Sequence, residues 1–222
     1  MQSTVLKRSE VHARFGAAPD QTIYASVADM EALSRDLAAE IAALDPPAEM
    51  IVGLANGAFL PAKIVGETLG IPWHMVKVRR KGSRYKQRLS VAVRALRIPP
   101  QWILWGPFRQ IWIMIQNSTS KLEEGRDPIG FDPAGKHVVL VDDVVETGKS
   151  FRHVKAMLAS ANALSVRTAV YCWSVMPKVP PEEARPDVHL HRQIQFYPWS
   201  NNTTHAAEYD RWIEDNGIIL WK

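Results

Sequence analysis

The chain has 222 residues, 46% of them hydrophobic, which is enough to bury the core of one full domain. Its single cysteine, Cys172, excludes an internal disulfide and favours a reducing compartment, which we expect to be the cytoplasm. No stretch approaches the roughly 18 uncharged apolar residues that a membrane-spanning helix needs. Residues 1–14 are polar, so we expect no signal peptide and no membrane segment.

Charge is distributed unevenly along the chain. The formal net charge is +4 at pH 7, from 27 Lys and Arg residues against 23 Asp and Glu residues. Residues 68–122 contain eleven of the basic residues and none of the acidic ones, so the rest of the chain is acidic. A concentrated positive field of this kind suits a polyanion, such as pyrophosphate or a nucleic acid.

The first third of the chain predicts a helix followed by a β-turn-α-β unit. Ser26 and Asp29 have the spacing of a capping box, and apolar residues then recur at helical spacing until Pro46. The unit that follows has a strand at 50–54, a turn of small residues at 55–58, a helix at 61–69 ended by Gly70, and a strand at 73–78.

Two unusual segments occupy the middle of the chain. Residues 77–97 form a basic run, which predicts either a solvated charged face or a loop that contacts an anion. Residues 98–116 are rich in Trp and Ile, and a monomer rarely exposes so much apolar surface. We predict that this second segment packs on the core or on another subunit, with a membrane surface as the weaker alternative. Residues 117–136 are polar and predict a loop.

The centre of the sequence predicts a buried strand that ends in acidic residues. Residues 138–141 are continuously apolar and mostly β-branched, as in a strand that is buried on both faces. Asp142 and Asp143 follow directly, and Glu146 and a small turn precede a helix that begins at residue 149. Open α/β folds bind ligands at the carboxyl edge of a parallel sheet, so we predict a ligand site here.

Two other interpretations of this stretch are less consistent with the residues. Gly148, Lys149 and Ser150 could end a nucleotide-binding P-loop, but that motif needs a glycine where Asp143 stands. The acids could also belong to the magnesium-holding strand of an ATPase, but no phosphate-binding loop precedes them. A purely structural role is also disfavoured, because two acids after a buried strand are costly without a ligand or cation.

The last third of the chain continues the alternation of strands and helices. It predicts a buried strand at 166–173, a proline-rich loop at 175–186, a strand at 188–199, and a short helix within 204–222 that leads to a final apolar strand at 218–221. The chain as a whole therefore predicts an α/β fold.

Residues 138–150 resemble the phosphoribosyl pyrophosphate (PRPP) motif of the type I phosphoribosyltransferases, in which a hydrophobic strand leads to two acids, two apolar residues, an acid and Thr-Gly. The resemblance implies a central, mostly parallel sheet flanked by helices, with a small hood. It also implies one domain over residues 1–222. Its expected parts are a core at about 26–80 and 137–174, an inserted basic and aromatic segment at about 81–136, and a hood at about 175–222 with part of the N-terminus.

This resemblance also implies an activity, namely magnesium-dependent transfer of the phosphoribosyl group from PRPP to a nucleobase, with release of pyrophosphate. We expect a purine as acceptor, a role in purine salvage, and a homodimer. Asp142 and Asp143 would hold the ribose hydroxyls and Mg²⁺, and Glu146 would be the general base. The expected 5′-phosphate residues are Val145, Glu146, Thr147, Gly148, Lys149 and Ser150, and the expected pyrophosphate residues are Ala55, Asn56, Gly57, Arg79, Arg80 and Lys81.

The part of the sequence that would receive the base departs from the family pattern. Relatives that use 6-oxopurines have a lysine where this chain has Ser174, and a stacking Trp where it has Ile194. Pro198 and Trp199 are retained, and Phe196 or Tyr197 could stack on the base instead. The candidate hood residues are therefore Ser174, Ile194, Phe196, Tyr197 and Trp199.

Two alternatives to a nucleobase phosphoribosyltransferase stay open. The same fold also serves as a regulator that senses PRPP and binds nucleic acid, and the acid-free basic segment could bind RNA or DNA. The other alternative is an enzyme that transfers the phosphoribosyl group to an unusual acceptor instead of a nucleobase. Binding to a polynucleotide would weaken steeply with ionic strength, which separates the regulator from the enzymes.

Overall fold

The computed structural model describes residues 24–78, 129–173, 184–191, 196–200 and 203–221. The chain divides into two compact units, one formed by Met1–Lys77 with Ile129–Lys222 and the other by Val78–Pro128. Only Val78 of the second unit is among the described residues, so the predictions for the basic and Trp-rich segments lie outside them. The described helices and strands all belong to the first unit.

A parallel sheet forms the centre of the first unit. Its described strands are β1 (Met50–Leu54), β2 (Trp73–Val76), β3 (His137–Val145), β4 (Ser165–Trp173) and β5 (Val188–His191). The described helices are α1 (Val27–Ala42), α2 (Phe59–Leu69), α3 (Lys149–Ser160) and α4 (Ala206–Asp215), and a 3-10 turn, Asn56–Ala58, precedes α2. The strand order is β2-β1-β3-β4-β5, with every pair parallel. This architecture confirms the predicted α/β class.

The first helix, α1, begins at the capping box that the sequence predicts. The Ser26 hydroxyl accepts the Asp29 N–H at 3.2 Å, and the Asp29 carboxylate accepts the Ser26 N–H at 2.9 Å. These reciprocal bonds satisfy two backbone donors that a helix start leaves without partners. The predicted apolar positions Met30, Leu33, Leu37 and Ile41 are buried.

Among the described residues, no helix is long and apolar enough to cross a membrane.

Both faces of the central strands are buried. Val139 of β3 and Tyr171 of β4 belong to a core cluster that also includes residues of α1, α2 and α4. Because side chains alternate along a strand, Val138 and Leu140 face the opposite side, and they are buried as well. Helix α3 packs against β4 with its buried residues Phe151, Val154 and Leu158. Burial on both faces explains the continuous apolar run of β3.

Strand β3 is longer than the sequence predicts. We expected it to end at Val141, with Asp142 and Asp143 beyond it. The pairing with β4 instead continues to Val145, which lies opposite Trp173. Strand β4 extends equally far, so backbone pairing continues through the two acids. Asp142 and Asp143 therefore lie inside the carboxyl end of the strand and not in the turn after it.

Of two strands predicted near the C-terminus, one is confirmed only in its first part and the other is wrong. Residues 188–199 were expected to form one strand; β5 is described over Val188–His191, whereas Pro198 and Trp199 lie in a turn. Proline cannot donate a ladder hydrogen bond, which disfavours a strand at this point. Residues 218–221 were also expected to be a strand, but they have no strand partner among the described residues. Their last backbone groups bond to a side chain, that of Asn56.

Candidate active site

The turn after β1 lies at the same edge of the sheet as the two acids of β3. Strands β1 and β3 are neighbours and parallel, so their carboxyl ends meet there. Contact between the two is close at Gly57, because a Cβ atom at this position would lie 2.6 Å from Asp143 Oδ2. Of the expected pyrophosphate residues, Gly57 therefore lies beside the carboxylate of Asp143, and Ala55 and Asn56 precede it in the same turn.

The carboxylates of Asp142 and Asp143 are half-buried, and backbone donors hold them in place. Asp142 Oδ1 accepts the Asp143 N–H at 2.9 Å. Asp143 Oδ1 accepts the Val144 N–H at 2.7 Å, and Asp143 Oδ2 accepts the indole N–H of Trp199, also at 2.7 Å. Charge-assisted bonds of this length are strong, so the orientation of the Asp143 carboxylate is well defined.

A short turn connects β3 to α3 and carries the expected 5′-phosphate residues. Val145 and Gly148 are buried, Thr147 and Ser150 are half-buried, and Glu146 and Lys149 are exposed. Gly148 has φ +65°, a left-handed conformation that glycine adopts without steric cost. The first N–H groups of α3 have no acceptor within the helix, and the exposed Lys149 is the first residue of that helix. This arrangement can bind an anion such as a phosphate.

A continuous series of aromatic rings, the aromatic row, connects the hood to the acids. Its members in order of contact are Tyr171, Tyr197, Trp199, Tyr209 and Trp212, with ring centroids 5.3 to 6.1 Å apart. Tyr197 and Trp199 are stacked, with an interplanar angle of 23°. The row meets the PRPP motif where Trp199 donates to Asp143.

Burial keeps the tyrosines of the aromatic row protonated. It raises the pKa of Tyr171, Tyr197 and Tyr209, and the negative charge of Asp143 raises each pKa further. The Tyr171 hydroxyl contacts Ser34 Oγ at 2.6 Å. The hydroxyls of Tyr197 and Tyr209 are buried without a hydrogen-bond partner in the described part of the chain. The surroundings of Asp143 are therefore largely apolar and uncharged on the side of the row.

Three of the candidate hood residues have different surroundings. Phe196 is 37% exposed and stacks on Tyr24, with centroids 5.1 Å apart. Tyr197 is 4% exposed and packs under Trp199, which is half-buried. Of these three residues, Phe196 is the most exposed. Ser174, Ile194, Arg79, Arg80 and Lys81 lie outside the described residues.

The sequence did not predict the contact of Trp221 with the turn after β1. Asn56 Nδ2 donates to the Trp221 carbonyl at 2.8 Å, and the Trp221 N–H donates to Asn56 Oδ1 at 3.1 Å. The Trp221 ring also packs against Phe59, with centroids 5.4 Å apart. No local pattern could indicate this contact, because it joins residues 165 positions apart.

The carboxylate oxygens at the site fit a magnesium ion that also binds the phosphate oxygens of a substrate. No group of three or more His, Cys, Asp and Glu side chains could hold a metal among the residues the structure describes. Mg²⁺ prefers oxygen ligands and is usually held by one or two carboxylates with substrate phosphate oxygens and waters. Asp142 and Asp143 could supply those carboxylates.

Several solved structures share this fold at low sequence identity. A purine phosphoribosyltransferase from Pyrococcus horikoshii is 20% identical, with a TM-score of 0.54 over 81% of this chain and 94% of that one. A hypothetical protein from Neisseria gonorrhoeae with bound ppGpp is 19% identical, with a TM-score of 0.52 over 90% and 99%. The Helicobacter pylori xanthine-guanine-hypoxanthine phosphoribosyltransferase is 11% identical, with a TM-score of 0.52 over 86% and 98%. These likenesses establish the fold.

The sequence itself establishes the family. No curated protein sequence matches the chain significantly. A family model described as the phosphoribosyl transferase domain matches residues 21–206, a span that includes the turn after β1, the acids of β3 and the hood turn at Trp199. The chain therefore belongs to the phosphoribosyl transferase domain family, and it is a phosphoribosyltransferase.

Proposed function

We propose that the protein transfers the 5-phosphoribosyl group of PRPP to a purine base, with Mg²⁺, and releases pyrophosphate. The observation that carries this proposal is the close approach of Gly57 to the Asp143 carboxylate. It brings the turn after β1 and the acids of β3 to one edge of the sheet, beside the turn that begins α3. Binding PRPP needs separate anchors for its pyrophosphate, its ribose hydroxyls and its 5′-phosphate, and these three segments could supply them.

Each segment has a chemistry that suits one part of PRPP. The N–H groups and hydroxyls from Val145 to Ser150 would hold the 5′-phosphate at the start of α3. Asp142 and Asp143 would accept the ribose hydroxyls, and the hydrogen bond from Trp199 would keep Asp143 oriented. The pyrophosphate would lie against Ala55, Asn56 and Gly57, and against the cations Arg79, Arg80 and Lys81.

The reaction requires a proton acceptor near the base. A nitrogen of the purine bonds to C1 of the ribose while the C1–oxygen bond to pyrophosphate breaks, and the purine loses a proton. Glu146 would take that proton, because it is an exposed carboxylate in the turn that directly follows β3 and its two acids. Mg²⁺, when bound, would neutralise charge on the leaving pyrophosphate.

A purine acceptor is supported by the fold relatives from Pyrococcus horikoshii and Helicobacter pylori, which are named for purine substrates. The exposed ring of Phe196 offers a stacking surface at the hood. We also propose that the enzyme is a cytoplasmic homodimer in purine salvage. The buried position of Cys172 is compatible with a reducing compartment, and sedimentation analysis would test the dimer.

The acceptor can be identified by measuring pyrophosphate release from PRPP with a panel of purines, pyrimidines and no acceptor. We expect release that requires Mg²⁺ and a purine. Release with pyrimidines alone, or equally without any base, would contradict the proposed acceptor. Slow release that no base accelerates would be hydrolysis of PRPP and would favour an acceptor outside the panel.

The PRPP site can be tested by calorimetry with the Asp142→Asn variant. We expect PRPP binding in the presence of Mg²⁺ to be lost, because the substitution removes a negative oxygen donor. Asp215→Asn, at the exposed end of α4, is the matched control and should bind as the wild type does. If Asp142→Asn bound PRPP with the wild-type affinity, Asp142 would not belong to the PRPP site.

Glu146 can be tested separately from PRPP binding. Glu146→Gln retains the length of the side chain but cannot accept a proton, and general base catalysis commonly contributes about 10²–10⁴-fold. We therefore expect kcat to fall by about 10²-fold or more, with PRPP affinity changed less than threefold. A variant with the wild-type kcat would exclude Glu146 as the base.

A further inference from the structure

The segment after α4 returns to the turn that follows β1. The Ile218 N–H donates to the Ile213 carbonyl at 3.0 Å, which ends the helix, and Ile218 and Leu220 pack against the core. The segment then reaches Asn56, whose amide bonds to both backbone groups of Trp221, at 2.8 and 3.1 Å. An amide that uses both its donor and its acceptor on one residue has a fixed orientation. We name this paired contact the tail clasp.

The ring of Trp221 extends the contact to both sides of the turn. It packs against Phe59, the first residue of α2, which is 7% exposed. Lys77, the residue directly after β2, has its Nζ atom 6.0 Å from the centre of the Trp221 ring. A cation at this distance from an indole face is attracted to it. The last described residues therefore contact the turn, the helix after it and the end of the neighbouring strand.

The turn that the tail clasp holds contains a strained residue. Ala55 has φ +54° and ψ −165°, a region that is essentially restricted to glycine. Its N–H donates to the Val76 carbonyl at 2.9 Å, which fixes one side of the residue. Asn56 follows directly and is fixed by Trp221. Strained conformations persist where surrounding contacts hold them, and here those contacts come from β2 and from the C-terminal segment.

We propose that the C-terminal segment is a positioning element of the PRPP site, and that the tail clasp holds the turn after β1 in the conformation that receives pyrophosphate. This inference rests on the proposed function. It assigns the Asn56 side chain to the tail clasp and leaves the backbone of the turn to face the anion. Since coupling is reciprocal, PRPP should also stabilise the clasp.

The test compares two variants that break the same contact from opposite ends. Asn56→Ala removes both hydrogen bonds from the turn, and deletion of residues 221–222 removes their partner. We expect either change to raise the Kd and the KM for PRPP about tenfold, while kcat and the KM for the acceptor change less than threefold. The double variant should be no worse than the deletion alone, because the deletion already removes both hydrogen bonds of the tail clasp together with the ring contacts of Trp221.

A matched control and a second measurement separate positioning from loss of folding. Asn216→Ala removes a side chain that also bonds to a backbone carbonyl, that of Trp212 at 2.7 Å, but it lies at the exposed end of α4. It should leave the KM for PRPP unchanged. Amide exchange at Trp221 should slow when PRPP binds the wild type and should be fast in Asn56→Ala with or without PRPP.

The outcomes distinguish this proposal from the function on which it rests. If the wild type binds PRPP and both variants bind it equally well, the tail clasp has no positioning role and the inference is overturned. A fall in kcat with an unchanged KM for PRPP would also overturn it, since that is the effect of a smaller folded fraction. If the wild type neither binds PRPP nor releases pyrophosphate, the proposed function itself fails.

Discussion

At the scale of single residues, the site depends on one carboxylate that three segments share. Asp143 comes from β3, accepts the indole N–H of Trp199 from the hood turn, and lies against Gly57 of the turn after β1. A half-buried carboxylate needs such donors, because burial without them costs several kcal/mol. Its orientation therefore depends on side chains that are far apart in sequence.

Trp199→Phe tests whether the hydrogen bond orients Asp143. The ring contacts with Tyr197 and Tyr209 are kept, but the carboxylate loses a donor worth about 1.5–3 kcal/mol. We expect the KM for PRPP to rise about tenfold. Trp212→Phe is the control, since its indole bond to Glu31 is longer, at 3.3 Å, and remote from Asp143. Equal effects of the two substitutions on the KM for PRPP would contradict this role.

Gly57→Ala tests the close approach directly. The added Cβ would lie 2.6 Å from Asp143 Oδ2 and 3.4 Å from Trp199 Nε1, so the carboxylate has to move. We expect a loss of about 1–3 kcal/mol in the free energy of unfolding, measured in urea, together with weaker PRPP binding. Gly130→Ala meets no atom within 4 Å and should change stability by less than about 0.5 kcal/mol. Full stability and affinity in Gly57→Ala would show that the turn can move away.

At the scale of elements, local signals explain where the helices begin and end. Ser26 and Asp29 begin α1, and Gly70, with φ +66°, ends α2 in the left-handed conformation. Strand ends follow different rules, because they depend on how far the partner strand continues. The sequence therefore predicted α1 correctly, but it ended β3 four residues early and extended β5 too far.

Ser26→Ala measures the contribution of the capping box to stability. The substitution removes the hydroxyl that accepts the Asp29 N–H and that also donates to the Asp29 carboxylate at 2.8 Å. Asp29 is only 1% exposed, so water cannot easily replace the lost donor. We expect the free energy of unfolding to fall by about 1–2 kcal/mol in urea denaturation. Ser160→Ala, which removes a hydroxyl at the exposed end of α3, should cost less than about 0.5 kcal/mol. Similar losses in both variants would argue against the capping box.

At the scale of the whole molecule, the buried tyrosines predict how stability depends on alkaline pH. Burial raises the pKa of Tyr171, Tyr197 and Tyr209 above the ordinary value of 10.0. Above pH 10 the unfolded chain loses these protons and the folded chain keeps them, so stability is intact below pH 10 and falls as pH rises above it. Each tyrosine should contribute roughly 1.4 kcal/mol per pH unit.

The alkaline prediction can be checked by urea denaturation between pH 9 and 11.5, followed by circular dichroism and tyrosinate absorbance. Tyr209→Phe should make the free energy of unfolding fall less steeply with pH, and the difference should equal the contribution of one tyrosine. Its hydroxyl has no hydrogen-bond partner within the described residues, so the substitution itself should cost little. Ionisation of all the tyrosines near pH 10 with native circular dichroism would contradict the prediction.

Local patterns in the sequence were enough to identify the α/β class, the helix that follows Ser26, the strand that carries Asp142 and Asp143, and the family. These features depend on neighbours within a few positions, such as a capping pair, an apolar period or a motif, and such signals can be read without knowing the fold. The resemblance of residues 138–150 to the PRPP motif agrees with the family match over residues 21–206.

Which side chains meet at the edge of the sheet could be learned only from the folded chain. Trp199 and Asp143 are 56 positions apart, and Asn56 and Trp221 are 165 positions apart, so no local period connects them. The apolar residues 218–221 look like a strand because strands and core-packed tails bury the same kinds of side chain. The backbone of Trp221 instead bonds to Asn56, which lies in the turn after β1, and this contact can be seen only in the folded chain.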